Sequence, residues 1–414
     1  MKRIALLIAA MMLTGCSASP EMTVIPDNSG KTEETVSSDT AVQTSQTVTE
    51  HTPEVKTVTF TAVGDNLIHS SIYKQAKRRA EVADLEYVNY DFSYAYKGVE
   101  DLLDTADISV INQETLICND IFPPDSYPTF NSPCDLGNYM ERLGFDVFGC
   151  ANNHVLDKGA EGFEAALDYY DRREIVRVGA YRNEADRDDL RIVERNGVKT
   201  AFLAYTEYTN GLRLPSDTDL CYGSIADEMD IEVALEEVRQ ASKKADIVIV
   251  LLHWGVEDSD VISDNQRILA QRFADAGTDV ILGSHPHVLR DIETLTAEDG
   301  RKVLCAYSLG NFISAQSVSR NLIGGILNFS VTITDGRKEP AITEFIPIVT
   351  HYDSNYANVR LYKLSDYTDE LAAAHGVRAE DEFSIDYIHR YLEKHHLYRS
   401  PDDDEDKGDT ESGE

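Results

Sequence analysis

Apolar runs of strand length recur through the middle of the chain, separated by polar or helical stretches. Residues 57–64 are rich in Val, Thr and Phe. Residues 107–112, 145–151, 198–205, 246–253 and 279–283 are compact apolar runs, the pattern of strands buried on both faces. Between them, residues 161–170, 227–245 and 263–276 carry apolar positions at helical spacing. This alternation predicts an α/β core built mainly from parallel strands. Beyond His287 the pattern shifts to longer alternating strands at 303–309, 325–334 and 341–349, which predict a second, more antiparallel sheet; residues 380–397 read as a C-terminal helix.

Five of the apolar runs end on short polar clusters: VGDNLIH, VINQETL, CANNHVLDKG, LLHWGVE and ILGSHPHVL. In an α/β sheet the carboxyl edge of the strands is where segments far apart in sequence converge on one crevice. Carboxylate, amide and imidazole groups gathered at that edge read as a metal centre. Each cluster alone has a plainer reading. Asp65 after Gly64 suits a turn as well as a ligand, and Glu114 two residues past Asn112 is equally ambiguous. Asn152 suits a helix N-cap, and His154 a hydrogen-bonded core histidine. His253 directly follows an apolar run, and His285-Pro286-His287 places two imidazoles a strand period apart, on one face, across a stiff proline. Five such clusters, all at strand ends, carry more weight together than any one does.

The N-terminus supplies an address. Lys2 and Arg3 precede an apolar stretch of about ten residues, too short to span a bilayer. Leu13-Thr14-Gly15-Cys16 follows, which is similar to a bacterial lipobox and implies cleavage before Cys16 and lipid on its thiol. Residues 1–16 are therefore read as a lipoprotein signal. Residues 17–55, mostly Ser, Thr, Glu, Val and Gln, are expected to be a disordered tether, and 401–414 an acidic disordered tail. The folded part is expected to comprise a domain over 56–350 and an extension over 351–400. The expected location is the extracellular face of the bacterial cell membrane, with the membrane a partner through the N-terminal lipid.

Net charge is −35, from 38 basic and 73 acidic residues, which excludes nucleic acid as a favoured partner. An anionic substrate would need positive charge from metals or from a local basic patch. Lys74, Lys77, Arg78 and Arg79 offer such a patch, or else the wet face of a helix. With Cys16 lipidated, five of the six cysteines remain. Cys118 and Cys134 flank a Pro-rich loop and are the expected disulfide, whereas Cys150 and Cys305 sit in apolar runs as core residues.

The motifs GDNLIH, NQET, ANNHVLDKG, HWGVE, GSHPHV and YSLGNF, in this order, resemble the CapA family of capsule and poly-γ-glutamate biosynthesis proteins, a branch of the calcineurin-like metallophosphoesterases. The resemblance covers residues 57–347. It implies an α/β fold, a four-layer α/β/β/α sandwich of the metallophosphoesterase type, with the site at one edge of the two sheets. It also implies Asp65, Glu114, Asn153, His253, His285 and His287 as ligands of two divalent metal ions (Mn, Fe, Zn or Mg), with Glu114 bridging and His154 as the catalytic proton donor. Asn152, Asp157 and Trp254 are expected to orient ligands or wall the site, and Ser308 and Asn311 of YSLGNF to close it or to form a tight turn. The sequence departs from the phosphoesterase pattern at Leu67, where a histidine is usual; His69 lies two residues farther on. The function implied is a lipid-anchored, metal-dependent hydrolase or transferase in synthesis or export of an anionic surface polymer such as poly-γ-glutamate. A general cell-envelope phosphoesterase and a non-catalytic partner of membrane-embedded synthase subunits are the alternatives.

Overall fold

The computed structural model describes residues 53–85 and 87–397, so the signal, most of the tether and the acidic tail lie outside the described residues. The described residues form sixteen strands: β1 (Val55–Asn66), β2 (Ile108–Asn112), β3 (Val147–Gly149), β4 (Val176–Val178), β5 (Ala180–Tyr181), β6 (Arg191–Arg195), β7 (Val198–Thr206) and β8 (Cys221–Tyr222), then β9 (Ile247–His253), β10 (Val280–Ser284), β11 (Ile292–Thr296), β12 (Lys302–Ala306), β13 (Asn311–Ile313), β14 (Ile323–Thr334), β15 (Arg337–Asp353) and β16 (Ala357–Lys363). The helices are α1 (Ser70–Ala83), α2 (Ser93–Tyr96), α3 (Cys134–Arg142), α4 (Gly159–Asp171), α5 (Glu184–Asp188), α6 (Glu228–Ala241), α7 (Asp264–Ala276), α8 (Asp369–Ala374) and α9 (Ile385–Lys394).

Two sheets stack face to face. The first runs β16-β15-β14-β1-β2-β3-β4, with β13 paired to β1, and the second runs β11-β12-β10-β9-β7-β6. Strands β1 to β4 are parallel, as are β7, β9, β10 and β12. In β9, Ile247, Ile249 and Leu251 pack between the sheets against residues such as Phe60 and Val110. The alternate residues Val248, Val250 and Leu252 pack under α6 and α7 against Leu235 and Phe273. A period of two with both faces covered explains the uninterrupted apolar run. On the far side of the first sheet, α1 to α4 and the C-terminal α8 and α9 close the fourth layer through Ile72, Tyr96, Met140, Phe163 and Ile388. The result is a four-layer α/β/β/α sandwich. Helix starts follow local chemistry: the Asp227 side chain caps α6, and Ser263 with Gln266 forms a capping box on α7.

Three expectations are corrected. The long strands β14 and β15 extend the first sheet, with β14 antiparallel to β1, while β12 lies parallel to β10 in the second. The parallel strands read as one sheet are thus divided between two, because hydrophobic period fixes a strand's faces and not its neighbour. The C-terminal helix is shorter than 380–397, as Ser384 caps α9 at its start. Cys118 and Cys134 are free thiols; the first donates to Asn131 Oδ1 at 3.2 Å and the second to Asp120 Oδ1 at 3.6 Å. Lys74, Lys77, Arg78 and Arg79 lie on the exposed face of α1, and Arg79 is 3.8 Å from Asp91. They are a wet helix face. Cys150 and Cys305 are buried, as expected.

Candidate metal centre

Because β1 to β3 are parallel in the first sheet, and β9 and β10 in the second, their carboxyl ends line up, and the sandwich brings the two edges together. Asp65 is next to last in β1, Glu114 follows β2, Asn153 follows β3, His253 ends β9, and His285 and His287 follow β10. All six are buried. Two sets of three have donor atoms within 4.8 Å of one another, Glu114–His253–His285 and Asp65–Glu114–His287. Glu114 is common to both.

The orientation of two of the imidazoles, His253 and His287, is fixed from behind. His253 Nδ1 is 2.9 Å from Ser284 Oγ, which leaves Nε2 facing Glu114 Oε1 at 3.6 Å, Asn153 Oδ1 at 3.0 Å and His285 Nδ1 at 3.1 Å. His287 Nδ1 is 3.1 Å from both Asp65 Oδ2 and Asn311 Oδ1, and its Nε2 is 3.8 Å from Glu114 Oε1. The outward nitrogens of two histidines, one at the end of β9 and one from the turn after β10, therefore converge on one carboxylate. Asp65 is steadied by Asn112 Nδ2 at 2.6 Å and by the His285 backbone N–H at 3.2 Å.

His285 and His287 reach the centre differently from the expectation. β10 ends at Ser284, and both histidines have positive φ, 94° and 59°. They project from a turn and not from one face of a strand, a sparsely populated backbone state for residues with a Cβ. A second close approach sets the YSLGNF turn. A Cβ on Gly64 would meet the Gly310 carbonyl oxygen at 1.9 Å, and the Asp65 N–H donates to that oxygen at 3.0 Å. Parallel pairing of β13 with β1 then sets Asn311 beside Asp65.

Electrostatics follow from burial. Burial, then the neighbouring Asp65 charge, pushes the Glu114 carboxyl well above its usual range. For His287, burial pulls the pKa down, but the Glu114 charge and the Asp65 hydrogen bond outweigh it and lift it to about 10. Burial and then the His287 charge drop His285 to about 3; burial and then His285 drop His253 well below the ordinary imidazole value. Both carboxylate oxygens of Glu114 are buried without a hydrogen-bond partner. Such a group is costly unless a cation compensates it. Oxygen and imidazole donors of this kind fit divalent cations such as Mn, Fe, Zn or Mg.

The remaining expected residues divide. His154 Nδ1 donates to Asp157 Oδ2 at 2.7 Å, and the same oxygen accepts the Phe130 N–H at 2.5 Å. Asn152 is no N-cap of α4; its amide donates to the Gln113 carbonyl and its oxygen accepts the His154 N–H. Asn311 orients His287, as described. Ser308 only braces the turn, its Oγ accepting the Gly310 N–H. Trp254 does not wall the site. Being next to His253 it points to the opposite face, where its Nε1 donates to the Tyr307 carbonyl and its ring stacks on Tyr307. Sequence reasoning assigned no role to Asn112 and Ser284, although both lie inside the clusters already marked. It also missed Asn210 and Glu257 as neighbours of Asn153.

The fold is a four-layer α/β/β/α sandwich whose strand ends gather buried His, Asp and Glu groups compatible with metal binding. The chain belongs to the bacterial capsule synthesis protein family PGA_cap, whose sequence profile matches residues 59–316. It is 32% identical over 192 residues to the PGA biosynthesis protein CapA of Bacillus subtilis (strain 168), covering 46% of this chain and 48% of that protein. It is 32% identical over 195 residues to the capsule biosynthesis protein CapA of Bacillus anthracis, covering 46% and 45%. The chain thus spans about half the length of these relatives. Among solved structures it is similar to a phosphatase from Mycoplasma pneumoniae, at 13% identity and TM-score 0.42 over 72% of this chain and 95% of that one. It is also similar to a putative 5'-nucleotidase from Staphylococcus aureus, at 14% identity and TM-score 0.44 over 74% and 54%.

Proposed function

We propose that this protein is held at the extracellular face of the bacterial membrane by lipid on Cys16, and that it acts there as a metal-dependent hydrolase or transferase in capsule or poly-γ-glutamate biosynthesis or export. Family membership supports the biological setting. The observation that carries the chemistry is Glu114, a buried carboxylate with two unpartnered oxygens, shared by two sets of ligand-type side chains.

Asp65, Glu114, Asn153, His253, His285 and His287 would hold two divalent cations. When bound, such a pair supplies Lewis-acid polarisation of a phosphoryl or carbonyl oxygen and acidifies water. The chain's own contribution is orientation and proton handling. Ser284, Asn311 and Asn112 fix His253, His287 and Asp65 before any ligand arrives, which reduces reorganisation. Asp157 holds His154 through Nδ1, so the Nε2 edge is the one available to carry a proton to or from a leaving group. Beside the centre a cleft of about 460 Å³, lined by His285, Tyr208 and Glu257 among others, gives a substrate access.

The test pairs elemental analysis of protein purified without chelators with a hydrolysis screen across phosphomonoesters, phosphodiesters and γ-glutamyl amides. Bound divalent metal together with turnover of one of these classes is expected. Metal-free protein inert on all three would remove the enzymatic reading, and polymer production surviving loss of the ligands would assign a non-catalytic role beside a synthase.

A further inference from the structure

The segment after β9 carries a carboxylate with no place in the ligand set. Glu257 Oε1 lies 3.4 Å from Asn153 Nδ2, and Asn210 Oδ1, from the segment after β7, lies at the same distance from that nitrogen. On its other side, Asn153 presents Oδ1 to His253 Nε2 at 3.0 Å. The two ends of a carboxamide are nearly the same shape, and only hydrogen bonding decides which way it points. Asn210 is itself an amide and can turn to suit either orientation. An ionised carboxylate only accepts, so Glu257 repels a flipped Asn153 whose oxygen would face it. The partner that decides the amide's direction is therefore Glu257.

Glu257 sits on an exposed loop, yet that loop is anchored. Arg290, wholly buried, donates from Nε to the Ser259 carbonyl at 2.9 Å and from Nη2 to the same carbonyl at 2.5 Å and to the Val256 carbonyl at 3.4 Å. At the loop's start, the Gly255 N–H donates to Glu207 Oε2 at 2.8 Å. A guanidinium with no carboxylate among these partners is buried at a cost in solvation, and here it ties down the backbone on both sides of Glu257.

We propose that Glu257 is a positioning residue for the metal centre, keeping the Asn153 oxygen turned toward the ligand side, with Arg290 holding the loop that carries it. The inference rests on the metal-centre reading given above. Substituting a residue that orients a ligand without binding metal itself lowers affinity by about 10–100-fold.

The experiment titrates Co²⁺ into metal-stripped full-length protein and follows both calorimetric affinity and the ligand-field absorption band. Glu257→Ala is expected to weaken Co²⁺ binding about 10–100-fold and to alter the band while leaving the circular dichroism spectrum unchanged. Glu257→Gln puts there an amide that can turn to suit either orientation, so it is expected to lose affinity and alter the band as Glu257→Ala does. Wild-type affinity and band in Glu257→Ala overturn the inference, and so does weakened binding with an unaltered band in both variants, because charge alone would then be at work. A parent protein that binds no Co²⁺ overturns the centre and this inference together, whereas a parent that binds while Glu257→Ala matches it removes this inference only.

Discussion

His154 and Asp157 form a buried pair in which Nδ1 donates to Oδ2 across 2.7 Å, and the pair stands beside the ligand cluster without contributing to either set of three donors. Holding an imidazole through one nitrogen fixes its tautomer and leaves the other free for proton transfer. His154→Ala should keep metal content and fold but lose turnover by about two to four powers of ten. Asp157→Asn should show a smaller loss, because the ring remains but is less well oriented. Elemental analysis, circular dichroism and turnover of whichever substrate the screen selects check both variants. A metal-depleted His154→Ala would make His154 a ligand.

Glu114 belongs to both donor sets, whereas His285 belongs to one. Glu114→Gln should therefore impair binding of both cations, and His285→Ala mainly one. Metal stoichiometry by elemental analysis, run beside calorimetric titration, distinguishes them. Equal stoichiometry in the two variants would remove Glu114 as the shared ligand.

Metal should stabilise the fold, because a cation relieves the unpartnered buried carboxylate and binds only the folded chain. A free cation concentration 100 times Kd is worth about 2.7 kcal/mol. Chelator should lower Tm and re-addition of a divalent ion restore it, as read by scanning calorimetry. The shift should shrink in His287→Ala, which leaves the Glu114–His253–His285 set intact and whose secondary structure the two sheets maintain.

Stability should fall in mild acid through His375. Its Nε2 donates to the Thr350 carbonyl and its Nδ1 accepts the Val377 N–H, so the folded state needs the neutral ring. Burial, partly offset by the Thr350 hydrogen bond, lowers its pKa to about 4. The unfolded chain, with a pKa near 6.5, takes up the proton first as pH drops. The stabilising contribution is thus complete above about pH 6.5 and is lost progressively down to about pH 4. Denaturant unfolding at pH 7.5 and pH 5 should show a smaller acid loss in His375→Gln than in the parent. An equal loss in both would assign the acid sensitivity to other groups.

Cys16 lies outside the described residues, and its proposed role is tested in cells. Cys16→Ser should leave a folded domain that partitions into the soluble fraction after detergent-free lysis. Unchanged sedimentation with membranes would remove the lipid anchor.

The sequence alone determined the elements and the class of site. Residues 246–253 and 279–283 read as buried strands because apolar side chains on both faces leave no other stable placement, and they became β9 and β10 nearly residue for residue. Polar clusters at strand ends marked Asp65, Glu114, Asn153, His253, His285 and His287 before their positions were known, since few buried strands end on carboxylates and imidazoles without cause. Tertiary structure decided the rest. Which sheet each strand joins depends on pairing between distant segments, so β14 went beside β1 and β12 beside β10 against the sequence pattern. Direction at the centre was also beyond the sequence. His285 and His287 take their aim from a turn with positive φ, Trp254 turns away because its neighbour turns in, and Asn112, Ser284 and Glu257 matter only through contacts made across the fold. Local periodicity fixes which face of a strand is buried, but the partner across that face is chosen by packing and hydrogen bonding over the whole chain.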